Sequence, residues 1–221
     1  HPLPGDYFGI VYKGGVIVPV LMTCFLTSLT FSIERLIVIG KATGKGSLES
    51  FIKKIQSLLS AGNIQAAVAE CDKQQGSVAN VIKSGLKKYS EVEVDTNLDV
   101  EQSIVAIQKD IEEATALEMP MLEQNLTIIA TLVSVGTLTG LLGTVTGMIK
   151  AFGGLANSGA PDQAALATGI SEALINTATG IGTSTLAIIM YNILTSKIDK
   201  LTYAIDEAGF SIIQTYASTH K

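Results

Sequence analysis

"LATGISEALINTATGIGTSTLAIIMY", residues 166–191, holds a single charged side chain, Glu172, in 26 positions. A hydrocarbon core of about 30 Å takes about 20 helical residues to cross. The uncharged run containing this stretch extends from Ala164 to Ser196, so it is read as a membrane span. Two more runs are long enough: Gly14 to Ile33, followed by Glu34, Arg35 and "LIVI", and Gln124 to Ile149. Backbone polar groups in lipid must find partners within the chain, so all three are expected to be α-helices.

Composition agrees. The chain has 221 residues, 47% of them hydrophobic and only 16% charged, with 21 glycines and no tryptophan. Its mean hydropathy is +0.41. A net charge of −5 gives no electrostatic case for nucleic-acid binding. His1 and His220 are terminal, and Cys24 and Cys71 fall in segments of different character. No histidine metal site, catalytic triad, disulfide or cofactor is therefore expected. The chain starts at His1 rather than Met, so native N-terminal residues are expected to be missing.

About 90 residues between the first two spans read as soluble helices. "SLESFIKKIQSLLSAGN" has Ser47 (or Ser50) as N-cap and Gly62-Asn63 as stop signal. "IQAAVAECDKQ" and "SVANVIKSGLKKYS" follow as two short helices, and "EVEVDTNLD" as an acidic loop. From Val100 the helical periodicity runs into the second span, with a bend expected near Pro120. The lysines at 41, 53, 54, 87 and 88 alternate with acids and read as a solvated surface. Lys and Arg mark cytoplasmic flanks. Arg35, Lys41 and Lys45 follow the first span and Lys197 and Lys200 the third, whereas residues 151–163 carry none. The resulting division is a periplasmic segment 1–13, a first span 14–39, a cytoplasmic helical region 40–123, a second span 124–150, a periplasmic loop 151–163, a third span 164–196 and a cytoplasmic C-terminal helix 197–221.

Two spans carry polar chemistry. In the second, Gly136, Gly140, Gly143 and Gly147 have the small-residue spacing that lets helix backbones approach, and packing is their preferred reading. Thr137, Thr139, Thr144 and Thr146 either bond back to their own helix or line a polar path. In the third, at about 100° per residue, Thr168, Asn176, Thr179 and Thr183 fall within about 40° of Glu172. Thr177 lies about 140° round and is expected to face a neighbouring helix. A carboxylate at a helix centre costs roughly 2.5–3.5 kcal/mol on insertion scales. Glu172 either handles protons or, protonated, bonds helices together; proton handling is preferred, and it needs a partner acid or water.

"GLLGTVTGMIKAF" (140–152) and "GISEALINTATGI" (169–181) together closely resemble the MotA/TolQ/ExbB proton channel family. The three-span plan, "ERL" at 34–36 and "SAGNIQAAVAECDKQQGSVANVIKSGL" (60–86) are similar to its ExbB/TolQ branch. The resemblance implies an all-α inner-membrane protein forming a homo-oligomeric ring, generally of five subunits. It implies an ExbD- or TolR-like single-span partner in the pore, bearing an essential aspartate, and a TonB- or TolA-like protein driven by proton motive force. ExbB-like, TonB-linked transport is taken first and the TolQ-like Tol-Pal system second. Carried over by motif, Glu172 is the pore glutamate and Thr144 and Thr177 the pore threonines. Thr137 stands where the family usually has proline, and Lys150 has no assigned role. Against this stands a membrane scaffold with a structural Glu172. A four-span stator, a secondary transporter and an enzyme find no support in span count, repeats or nucleophile–base pairs.

Overall fold

The computed structural model describes residues 14–95, 98–157 and 163–220. The expected segment 1–13 and residues 158–162 of the expected loop 151–163 lie outside them. Among the described residues the chain is all helix: α1 Ile17–Ala42, α2 Leu48–Ser60, α3 Ile64–Gln74, α4 Ser77–Val94, α5 Val100–Glu123, α6 Leu126–Asn157 and α7 Gln163–Thr219. Three of these elements are long and apolar enough to cross a membrane. At about 1.5 Å per residue α7 is far longer than a bilayer is thick. Apart from Glu172, its charged positions begin only at Lys197.

The chain divides into two compact units, residues 1–34 with 125–193, and residues 35–124 with 194–221. In the first unit the buried positions of α6 are Leu126, Ile129, Leu132, Gly136, Gly140, Gly143, Gly147 and Ala151. Those of α7 are Gly169, Ala173, Asn176, Gly180, Thr183 and Ala187, with Ser184 beside Thr183. Steps of three and four residues put each set on one stripe, the pattern of helices packed along their length. Large side chains such as Leu138, Leu141, Ile149, Leu174 and Ile181 point outward, as expected of a surface solvated by lipid. On α1 the buried stripe is Val18, Leu21, Ser28 and Ser32.

The second unit is an amphipathic helical assembly with an aliphatic core. Phe51, Ile52, Ile55 and Leu59 of α2 are buried, as are Val81, Ile82 and Leu86 of α4, Ile107 of α5 and Ile205 and Ile212 of α7. Ser47 caps α2 as expected, accepting from the Ser50 N–H. Asn63 is more than a stop signal, because its side chain caps α3 by accepting from the Ala66 N–H at 3.1 Å. The acidic stretch is less loop than expected, since α4 continues to Val94. Asp99 and Gln102 then form a reciprocal capping box that starts α5. Cys71 is buried in α3, and desolvation pushes its thiol up to about 12, so it is an inert packing group.

Pro120 does not mark the bend. It sits inside α5, and the helix ends four residues later at Gln124–Asn125, where Asn125 takes a left-handed φ of +65°. Proline removes one backbone donor, which a helix anchored by buried Leu122 tolerates. Asparagine accepts the left-handed conformation better than most residues, so the chain turns there. Within the second unit, buried Arg35 donates to the Met121 carbonyl at 2.8 Å, satisfying an acceptor near the helix end. Within the first, the Asn125 amide donates to the Glu34 carboxylate at 3.3 Å.

Candidate functional site

The seam between α6 and α7 is a backbone-to-backbone contact. A Cβ on Gly180 would lie 2.6 Å from the Gly136 carbonyl oxygen and 2.8 Å from the Gly140 Cα. One on Gly147 would lie 2.9 Å from the Gly169 oxygen, and one on Gly143 would strike the Asn176 side chain. All four glycines of α6 singled out in the sequence therefore face α7, where only glycine leaves room. The pairs 136/184, 140/180, 144/177 and 150/172 are each nearly symmetric about residue 160, the register of a tight antiparallel hairpin.

That register lines up polar groups along the seam. Thr144 donates back to the Gly140 carbonyl at 3.2 Å and accepts from the Thr177 hydroxyl. Thr177, which the helical projection turned away from Glu172, thus faces α6. Further along, the Ser184 hydroxyl donates to the Val133 carbonyl at 2.6 Å and accepts from Thr137 at 2.8 Å. Thr137, at the family's proline position, is therefore a hydrogen-bonding residue, and α6 runs through it unbroken. Asn176 is fully buried between these groups, and neither its amide oxygen nor its nitrogen has a hydrogen-bond partner among the described residues. The Ser28 and Ser32 hydroxyls on α1 are buried and unpaired in the same way.

The rest of the stripe divides. Thr168, Thr179 and Thr183 donate to the carbonyls four residues back, at 2.8 to 2.9 Å, which occupies their protons within α7. Thr168 is exposed, Thr179 half-buried and Thr183 buried. Thr146 similarly donates to Gly143 at 3.1 Å.

Glu172 has company that the projection of a single helix does not reveal. Its carboxylate accepts from the Lys150 ammonium at 2.6 Å, and its side chain is only 12% exposed while that of Lys150 is 57% exposed. On another side lies Gly15, in the turn before α1, with φ +74°. A Cβ there would fall 2.1 Å from the Glu172 Oε1. Lys150, Gly15 and Ser184 are the residues that sequence reading leaves without a role. The hairpin register would have paired Lys150 with Glu172, because both lie about eleven residues from its centre; nothing in the sequence signals Gly15. No group of three or more His, Cys, Asp or Glu able to hold a metal occurs among the described residues.

Comparison with known proteins gives matches over most of the chain. The MotA/TolQ/ExbB proton channel family matches residues 73–207. The Tol-Pal system protein TolQ of Pseudomonas aeruginosa is 26% identical over 88% of this chain and 85% of its own length. A putative ExbB homolog of Methanothermobacter thermautotrophicus is 25% identical over 88% of this chain and 66% of its own. The biopolymer transport protein ExbB of Salmonella typhimurium is 37% identical, over 32% of this chain and 29% of its own.

Proposed function

Since the chain belongs to the MotA/TolQ/ExbB proton channel family, we propose that it is an ExbB-like subunit of a motor driven by proton motive force, energising TonB-dependent transport across an outer membrane. The observation that carries the proposal is the α6–α7 seam. It places a nearly buried carboxylate, Glu172, on the same helix pair as the joined hydroxyls of Thr144 and Thr177. Glu172 is the group that exchanges protons. Thr144 and Thr177 hold the seam at the next turns, and Asn176 offers an unpaired amide between them.

One carboxylate is half of a relay. The second comes from an ExbD-like single-span helix in the centre of a ring, generally of five copies, in the bacterial inner membrane. The lysine-bearing ends of the spans support a cytoplasmic region 40–123 and C-terminus and a periplasmic N-terminus. A proton crossing 100 mV releases about 2.3 kcal/mol, enough to exchange one set of helix contacts for another.

Glu172→Gln tests this reading. The variant is expected to assemble with its single-span partner and to fail in energised uptake. Failure to assemble would favour a scaffold with a structural glutamate, and intact uptake would overturn the proton role. A TolQ-like role in the Tol-Pal system is the second reading, favoured by the near-full-length match to the Pseudomonas protein. Co-purification decides between them: an ExbD/TonB pair supports the first, a TolR/TolA pair the second.

A further inference from the structure

We propose that Lys150 is the resting counter-ion of Glu172, and that departure of its ammonium is what frees the carboxylate to take up a proton. This deepens the proton-exchange reading of Glu172 and rests on it. Three observations meet at one atom. The Lys150 Nζ lies 2.6 Å from the Glu172 Oε1. The acid is nearly buried while more than half of the lysine side chain is exposed. Gly15, left-handed and without a Cβ, gives that same oxygen its space on another side.

The asymmetry gives the pair its direction. A carboxylate removed from water is strongly disfavoured unless a cation or hydrogen-bond donors compensate it. Lys150 supplies a full positive charge on a flexible four-carbon stem, and more than half of that side chain is uncovered by the rest of the chain. The lysine can therefore swing into solvent at little cost, whereas Glu172 is fixed in the seam. Paired, the carboxylate is neutralised by the ammonium and holds no proton. Unpaired, it is a nearly buried acid that gains a proton in place of the lost cation. The ammonium and the proton compete for one oxygen, so the resting pair blocks uncontrolled proton exchange. Lys150 acts through Glu172 and is a positioning residue.

The test uses membranes containing the full chain with its co-purifying partners, treated at neutral pH with dicyclohexylcarbodiimide, which modifies the protonated carboxyl. Labelling at Glu172 is followed by mass spectrometry. Lys150→Gln is expected to speed it severalfold, because the competing ammonium is gone. Lys150→Met, which keeps the apolar stem, should behave like Lys150→Gln, and Lys150→Arg like the wild type. Wild-type labelling in both neutral variants would overturn the counter-ion role, as would Lys150→Arg labelling as fast as they do. The two readings separate cleanly. If Glu172→Gln is inactive but Lys150→Gln labels at the wild-type rate, only the counter-ion fails. If Glu172→Gln keeps energised activity, the proton reading fails first.

Discussion

At the scale of single residues, Asn176 pays a cost that packing alone does not repay. Its amide is fully buried against Gly143 and finds no partner among the described residues, and a buried polar group left unpaired costs about 1–3 kcal/mol. Asn176→Leu, close in size and without the polar atoms, is expected to raise the melting temperature of the purified protein while lowering energised activity. A stabilised variant with full activity would remove Asn176 from the proton path. Gly15 makes the opposite case. Gly15→Ala would force both the left-handed turn and the Glu172 carboxylate to move, so energised activity should fall with little change in expression. At this scale the sequence was legible where chemistry is written in residue type. A lone glutamate in an uncharged run announced itself, and the motifs supplied Thr144 and Thr177. Lys150 and Gly15 escaped because their roles depend on which helix lies opposite, and a projection of one helix carries no such information.

At the scale of elements, the seam between α6 and α7 depends on glycine in a position-specific way. A Cβ on Gly180 meets backbone at 2.6 Å, whereas one on Gly182, two residues on, meets nothing within 4 Å. Gly180→Ala is expected to cost about 1–3 kcal/mol by forcing the helices apart, and it should break the Thr144–Thr177 contact. Gly182→Ala should be neutral or slightly stabilising, through higher helix propensity. Thermal unfolding of the two variants in the same detergent measures the difference, and equal effects would contradict the close approach. The spans and the four α6 glycines could be read because lipid leaves the backbone few choices and small-residue spacing is repetitive. The break falls at Gln124–Asn125, four residues beyond the bend expected near Pro120, because the deciding features are elsewhere: the left-handed Asn125 and the Arg35 bond to the Met121 carbonyl. Neither is visible in the local sequence of that helix.

At the scale of the whole molecule, two compact units share one chain. The unit of residues 35–124 and 194–221 is held by an aliphatic core, so Ile55→Ala at its fully buried position should cost about 2–5 kcal/mol. Charges on its surface add pH dependence. The hydrogen bond from Lys54, with Lys73 beside it, holds the Glu70 carboxyl below the usual carboxylate range. A carboxyl depressed on folding stabilises the protein above its unfolded value, about pH 4.3, and that contribution is lost as pH falls through the lower folded value. Lys54→Met should therefore lower the melting temperature slightly at pH 7, with the gap closing in stronger acid. The core of this unit was legible from helical periodicity, while the division of the chain into units follows from contacts between distant segments.

The central claim is that Glu172 exchanges the proton. It is tested most directly by proton flux into vesicles that hold the assembled complex under an imposed membrane potential, wild type against Glu172→Gln. The account predicts flux in the wild type and its loss in the variant at equal assembly. Equal flux in both would contradict it.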